Sequence, residues 1–345
     1  MSDFLKQGGA SLPADYASML EAMEQKEKTR LKPRNPFPKK VQASFSHVAT
    51  RDNYDDYLFR CHSFGRLMGG LPKPLTESQA KTYAAYHDRF MGIGRPLTEN
   101  QEATYYDLGA KMRAKIQLSD GAKTLCEELV REDVFKRRKV IETKYMDKGI
   151  EMEDASIKLY GQYIGQELEK NTERKLNDYW VGEADNVQGK VRDFKTSWDH
   201  DTFPRAVPKI STLYEWQLQL YMDLWQMDEA ELIYTLVDTP IRLVDDELRR
   251  MDWKYNLMTM DGCIRPEHIP FVVEKVSNMI YTEAGLVELC EMSGTLDIDW
   301  FAAGFMELPI EQRIKVFHTK RNEKMLRQGR EMVKLARDYM NKIKN

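Results

Sequence analysis

The stretch Val181-Gly-Glu-Ala-Asp185-Asn-Val-Gln-Gly189-Lys190-Val-Arg-Asp193-Phe-Lys195 reads as a hairpin, two short strand-forming arms around a turn that carries Asn186 and Gly189. Residues two apart on a strand share a face, so Asp193 and Lys195 project together with Val191, while Arg192 and Phe194 point the other way. Asp185, eight positions before Asp193, brings a second carboxylate to the same end of two neighbouring strands. Clustered carboxylates repel one another, a cost that a divalent cation relieves. An Asp-x-Lys triplet alone carries little weight in a chain with 31% charged residues. Its place after a turn and a second Asp gives it meaning.

Helical patterns flank this stretch. Upstream, steps of three and four through Gly149 to Ile164 give an inward stripe of Ile150, Glu153, Ile157, Tyr160 and Ile164. Glu153 is the carboxylate in that stripe, where a charge requires a partner or a metal, whereas Glu151 and Asp154 fall toward the outside. An exchange of roles between Glu153 and its neighbour Asp154 stays open. Downstream, Leu213, Gln217, Leu220, Tyr221 and Leu224 form a second stripe, interrupted by Gln217 with Tyr221 one turn later. A core glutamine satisfied by backbone groups is the competing reading of Gln217, and Gln219 lies off the stripe. Glu231-Leu-Ile-Tyr-Thr-Leu-Val237 reads as a buried strand. The pattern as a whole is α/β.

Farther out, two similar segments, Pro74 to Tyr83 and Pro96 to Tyr105, each begin a helix. Thr76 with Gln79, and Thr98 with Gln101, match the capping box in which each side chain satisfies the other residue's amide. Glu24 to Lys40 is basic and proline-bearing, the pattern of an exposed arm. Arg313 to Asn345 reads as a basic helix, with Ile314, Phe317, Met325, Met332, Leu335 and Tyr339 inward. Its cations face either solvent or DNA phosphates. A net charge of -3 neither demands nor forbids a nucleic-acid partner. Cys61, Cys126, Cys263 and Cys290 lie far apart, which argues against zinc and iron-sulfur sites, and the six histidines show no ligand spacing. No apolar run reaches bilayer length and the polar start lacks a signal-peptide core, so the expectation is a cytoplasmic protein without membrane contact.

The ordered set Gly149-x-x-x-Glu153, Gly182-x-x-Asp185, Asp193-Phe-Lys195-Thr and Gln217-x-x-x-Tyr221 resembles the RecB-like branch of the PD-(D/E)XK nucleases. The stretches Phe59 to Met68 and Ala122 to Gly149 look like phage recombination exonucleases of the YqaJ and lambda-exonuclease kind, and the likeness covers roughly Tyr57 to Pro240. It implies a restriction-endonuclease-like core, a mixed β-sheet flanked by helices, with a helical N-terminal insertion and a helical C-terminal region. The corresponding division is a basic arm at 1–43, a helical N-terminal part at 44–140, a catalytic core at 141–240 and a mostly helical region at 241–345.

The resemblance further implies a catalytic set of Glu153, Asp185, Asp193, Lys195 and Gln217. Metal ligation falls to Glu153, Asp185, Asp193 and the Phe194 carbonyl, with two Mg²⁺ or Mn²⁺ ions as cofactors. Arg60, Ser63 and Tyr221 become candidates for holding DNA or its 5' phosphate. The implied activity is 5' to 3' exonuclease digestion of double-stranded DNA ends, with a single-strand annealing protein as partner and a trimer as assembly. An endonuclease of defence or restriction with the same site, and a DNA-binding or anti-nuclease protein without turnover, are the alternatives. The paired-helix segment and residues 241 to 300 have no counterpart in the shared core.

Overall fold

The structure, a computed structural model, describes residues 51–139, 143–204, 209–302 and 304–344. The arm expected at 1–43 lies outside the described residues. In chain order the elements are β1 (Phe59–Arg60), α1 (Cys61–Phe64), α2 (Glu77–Phe90), α3 (Glu99–Arg113), α4 (Asp120–Phe135), α5 (Lys144–Glu151), α6 (Glu153–Ile164), β2 (Lys175–Leu176), β3 (Trp180–Gly182) and β4 (Val191–Thr196). They continue with α7 (Thr212–Trp225), β5 (Glu229–Thr235), α8 (Ile241–Tyr255), α9 (Ile269–Ser277), α10 (Glu283–Ser293), β6 (Ile314–Lys320) and α11 (Glu323–Lys344).

The β-branched and aromatic residues of β4 and β5 pair in parallel, from Val191 opposite Ala230 to Thr196 opposite Thr235. A parallel pair needs a crossover, and α7 supplies it. β6 completes this sheet, antiparallel to β5 from Lys320 opposite Glu229 to Ile314 opposite Thr235. A second sheet places β3 between β1, parallel to it, and β2, antiparallel. The expected α/β architecture is therefore present, as a mixed sheet flanked by helices.

Three expectations need correction. Residues 314 to 320 are a strand and not the start of the basic helix, because Ile-Lys-Val-Phe-His-Thr-Lys finds a full ladder along β5, and helix begins only at Glu323. Ile150 is 73% exposed. The helix breaks at Met152, where φ is -105° and ψ 11°, so the stripe counted across that point rotates away from the core. Leu213, in the first turn of α7, is likewise exposed.

The hairpin is also modified. Its arms, β3 and β4, belong to different sheets and meet through a single bridge, Asn186 N–H to Arg192 O at 3.2 Å and the reverse at 2.8 Å. The main core packs α7 and α11 around Trp180, Trp216, Leu220, Met332 and Ala336. A separate core gathers α8, α9 and α10 around Trp198, Val244, Leu248 and Val276. The helix pair has the expected caps. Thr76 N donates to Gln79 Oε1 at 3.1 Å, Gln79 N to Thr76 Oγ1 at 3.2 Å, and Thr98 N to Gln101 Oε1 at 3.1 Å. Tyr83 stacks on Tyr105 with centroids 5.1 Å apart, and α2 contains no buried residue. Among the described residues no helix is long and apolar enough to cross a membrane.

Lys148 ties α5 to the second core. It is fully buried, its Nζ donates to Trp198 O at 2.9 Å, and the Tyr281 ring lies 5.6 Å away. Burial pushes its pKa down to about 7, against the pull of Asp238 and Asp199. Below about 7 the group is protonated folded and unfolded alike. Between there and its ordinary value of 10.5 the unfolded chain binds a proton that the folded chain lacks, so this group makes stability rise with pH. Lys148→Met is expected to flatten that rise in denaturant unfolding. Equal slopes in variant and parent would reject this account.

Candidate active site

β4 separates two chemistries by its pleat. Arg192 and Phe194 face one side, where Phe194 packs on Tyr160 at 5.9 Å between ring centroids. There Arg192 Nε donates to Glu231 Oε2 at 2.9 Å, joined by the Tyr160 hydroxyl and Lys190 Nζ, each at 3.0 Å. Burial alone raises the Glu231 pKa, but the hydrogen bonds from Lys190 and Tyr160 and the charge of Arg192 outweigh it and hold the carboxyl below its usual value.

Asp193 and Lys195 face the other side, into a pocket of about 510 Å³ that Glu153, Asp185, Gln217 and Tyr221 also line. The pocket depends on the turn before β4. Asp185 Oδ2 accepts the Phe194 N–H at 2.6 Å, on the edge of β4 that faces away from β5. In an extended strand the N–H and C=O of one residue point to the same edge, so the Phe194 carbonyl faces this side too. A segment following α6 straps the turn. Asn171 N donates to Asp185 O at 2.7 Å, Asn171 Nδ2 to Ala184 O at 2.8 Å, and Asn186 Nδ2 to Glu169 O at 2.8 Å. Gly182 is needed for a close approach, since a Cβ there would lie 2.6 Å from both Cys61 Sγ and the Tyr221 ring.

Charges in the pocket compensate only in part. Lys195 Nζ stands 2.5 Å from Asp193 Oδ2. The pair meets as an ion pair without hydrogen-bond alignment, and Oδ2 is otherwise without a hydrogen-bond partner. Asp193 Oδ1 accepts from Gln217 Nε2 at 2.9 Å, and the same amide reaches the Tyr221 hydroxyl at 3.1 Å. Burial opposes the Lys195 charge, yet Asp193 and Asp185 outweigh it and raise its pKa, so Lys195 is an ammonium. Burial and the Asp193 charge push Asp185 up to about 8, against Lys195 and the Phe194 N–H. Tyr221 is also raised, by burial and then by Asp193. Glu153 pairs with Lys170 at 3.0 Å. Asp154 is largely exposed, and Glu151 bonds Arg242. Of these three acids, Glu153 is the one that lines the pocket.

The donor set suits a hard cation: three carboxylates, one of them with an unbonded oxygen and another under repulsion, beside a free-edge carbonyl. Among the described residues no group of three His, Cys, Asp or Glu side chains is placed to hold a metal ion, and Lys170 and Lys195 pair with two of the acids. Carboxylates and a carbonyl are the donor types that Mg²⁺ or Mn²⁺ takes, and two of these carboxylates already carry cationic partners.

Three further sets of residues complete the surroundings. Arg60 ends β1, and Ser63 Oγ donates to Arg60 O at 3.3 Å, but neither residue lines the pocket. His62 between them does feel it: burial first, then Arg60 and Lys195, lower its pKa. Gln219 is a structural residue, its amide donating to Lys320 O and accepting from Asn322 N, each at 2.8 Å. Lys170 and the pocket-lining Tyr214 carried no sequence signal, because neither belongs to a stripe or motif. Tyr214 places its ring centroid 5.1 Å from Lys195 Nζ.

Asp185→Asn keeps an acceptor for the Phe194 N–H and removes the repulsion with Asp193. It is expected to raise stability in chelator by on the order of 1 kcal/mol, read as a higher thermal unfolding midpoint. A variant less stable than the parent would count against a strained carboxylate pair.

No protein-family model and no curated protein sequence matches the chain. Among solved structures it is similar to a phage related exonuclease from Haemophilus somnus 129PT. The match has 22% identity and a TM-score of 0.50, and covers 83% of this chain and 94% of that one. A weaker likeness, 9% identical with a TM-score of 0.37, covers 68% of this chain and 86% of an alkaline exonuclease from Laribacter hongkongensis. The chain therefore shares the fold of the phage related exonuclease.

Proposed function

We propose that the protein is a metal-dependent deoxyribonuclease, an exonuclease that works 5' to 3' on double-stranded DNA ends and leaves 3' single strands for phage-type recombination or repair. The observation that carries this reading is the convergence of Glu153, Asp185, Asp193, Lys195 and Gln217 on one pocket. Two divalent ions held by Glu153, Asp185, Asp193 and the Phe194 carbonyl would supply an activated water and screen the charge developing on phosphorus.

The protein's own groups divide the remaining work. Lys195, held beside Asp193, is placed to position the attacking water or to stabilise negative charge on the phosphate oxygens. Gln217 holds Asp193 Oδ1 in place, and Tyr221 steadies the Gln217 amide. Arg60 and Ser63, beside the site on β1 and α1, are assigned to the 5' phosphate of the DNA end. A trimer in the host cytoplasm, acting with a single-strand annealing protein, completes this reading.

The experiment is digestion of duplex DNA labelled separately at each end. Release is expected to start from 5' ends, to require Mg²⁺ and to stop with chelator. Asp193→Ala and Lys195→Ala should each slow it by about 100-fold or more. Metal-independent digestion that persists in either variant removes the proposed site, and cutting of a covalently closed circle removes the exonuclease reading.

A further inference from the structure

A second groove, about 790 Å³, runs between the helix pair α2–α3 and the body of the molecule and shares no lining residue with the catalytic pocket. Its walls are largely apolar: Met68, Leu71, Leu75, Met112 and Met325 contribute, and Met112 is 58% exposed. Three cations also line it, Lys73 before α2, Lys111 on α3 and Lys324 in the first turn of α11. No Asp or Glu lines the groove, and among the described residues none of the three lysines has an ion-pair partner. Lys324 lies in the first turn of α11 beside Glu323, whose carboxylate pairs with Arg321 and not with Lys324.

Such a surface discriminates between classes of partner. Single-stranded nucleic acid is held by stacking bases on free aromatic faces. Here Tyr83 is already stacked on Tyr105, and Trp216 is 2% exposed. Thioether and leucine walls instead accommodate aliphatic or aromatic side chains of varied shape, and unpaired lysines above them call for carboxylates. We propose that this groove receives a short acidic segment of another protein, its apolar side chains among the methionines and its carboxylates at Lys73, Lys111 and Lys324. The helix pair then serves to form a docking site, and this inference stands apart from the nuclease reading.

The test selects randomised short peptides displayed on phage against the full chain, then measures the enriched peptide by fluorescence anisotropy. Acidic sequences with leucine or phenylalanine anchors are expected. Met112→Asp and Lys111→Glu, both at exposed positions, should each weaken binding by about tenfold or more, with thermal unfolding and duplex digestion unchanged. Met112→Ser serves as a milder variant should Met112→Asp disturb the fold. An enrichment that is absent, or equal on Met112→Asp protein, overturns the proposal. So does displacement of the peptide by an oligothymidine strand, or dissociation of an oligomer by Met112→Asp in light scattering, which would make the groove a contact between copies of this chain.

Discussion

The hydrogen bond from the Phe194 N–H to Asp185 Oδ2 is the contact on which the site depends. A strand with one unpaired edge must satisfy its amides somehow, and β4 satisfies this one with a carboxylate. The turn from Glu183 to Lys190 is thereby drawn onto the edge of the sheet, which brings Asp185 beside Asp193. The same bond leaves the Phe194 carbonyl facing the pocket. Repulsion between the two acids is the cost, and Lys195 and the Gln217 amide offset only part of it.

The other face of β4 supplies the rigidity that this arrangement needs. Arg192 and Glu231, both nearly excluded from solvent, pair across the parallel strands, with Tyr160 and Lys190 completing the acceptor set. A buried pair of this kind is weak evidence for stability, because desolvation consumes much of the Coulombic gain. Its effect here is on register. A slip of one residue would turn Arg192 into the pocket and bury Asp193 against Tyr160 and Ile233, leaving unpaired charges on both faces. One register therefore satisfies both sides at once.

The abundance of cations near the C-terminus has a largely structural explanation. Arg321 and Arg330 bind the buried Asp223 at 2.7 and 3.1 Å, Arg337 caps the carbonyls of Tyr57 and Asp178, and Lys344 reaches the carbonyls of Arg51 and Asp52. These contacts fasten α11 to α7 and to the start of the described chain. Lys315, Lys320, Lys334 and Lys342 are not consumed in this way by backbone carbonyls, although Lys320 lies 3.9 Å from Glu229. The same helix thus anchors the core while, among the described residues, its Lys334 and Lys342 form no ion pair.

The sequence by itself determined what local rules govern. Period-two alternation separated Asp193 and Lys195 from Arg192 and Phe194, the capping boxes started α2 and α3, and helical spacing singled out Gln217 as the polar member of a buried stripe. Tertiary structure decided what depends on distant partners. The strand nature of residues 314 to 320 became fixed only by pairing with β5, since a short basic, apolar run is compatible with either helix or strand. The break at Met152 left Ile150 largely exposed to solvent, although it lines the pocket together with Glu153. Lys170 met Glu153 because a strap of hydrogen bonds, from the Asn171 backbone and the Asn171 and Asn186 side chains, carries it there, a contact that no spacing rule encodes.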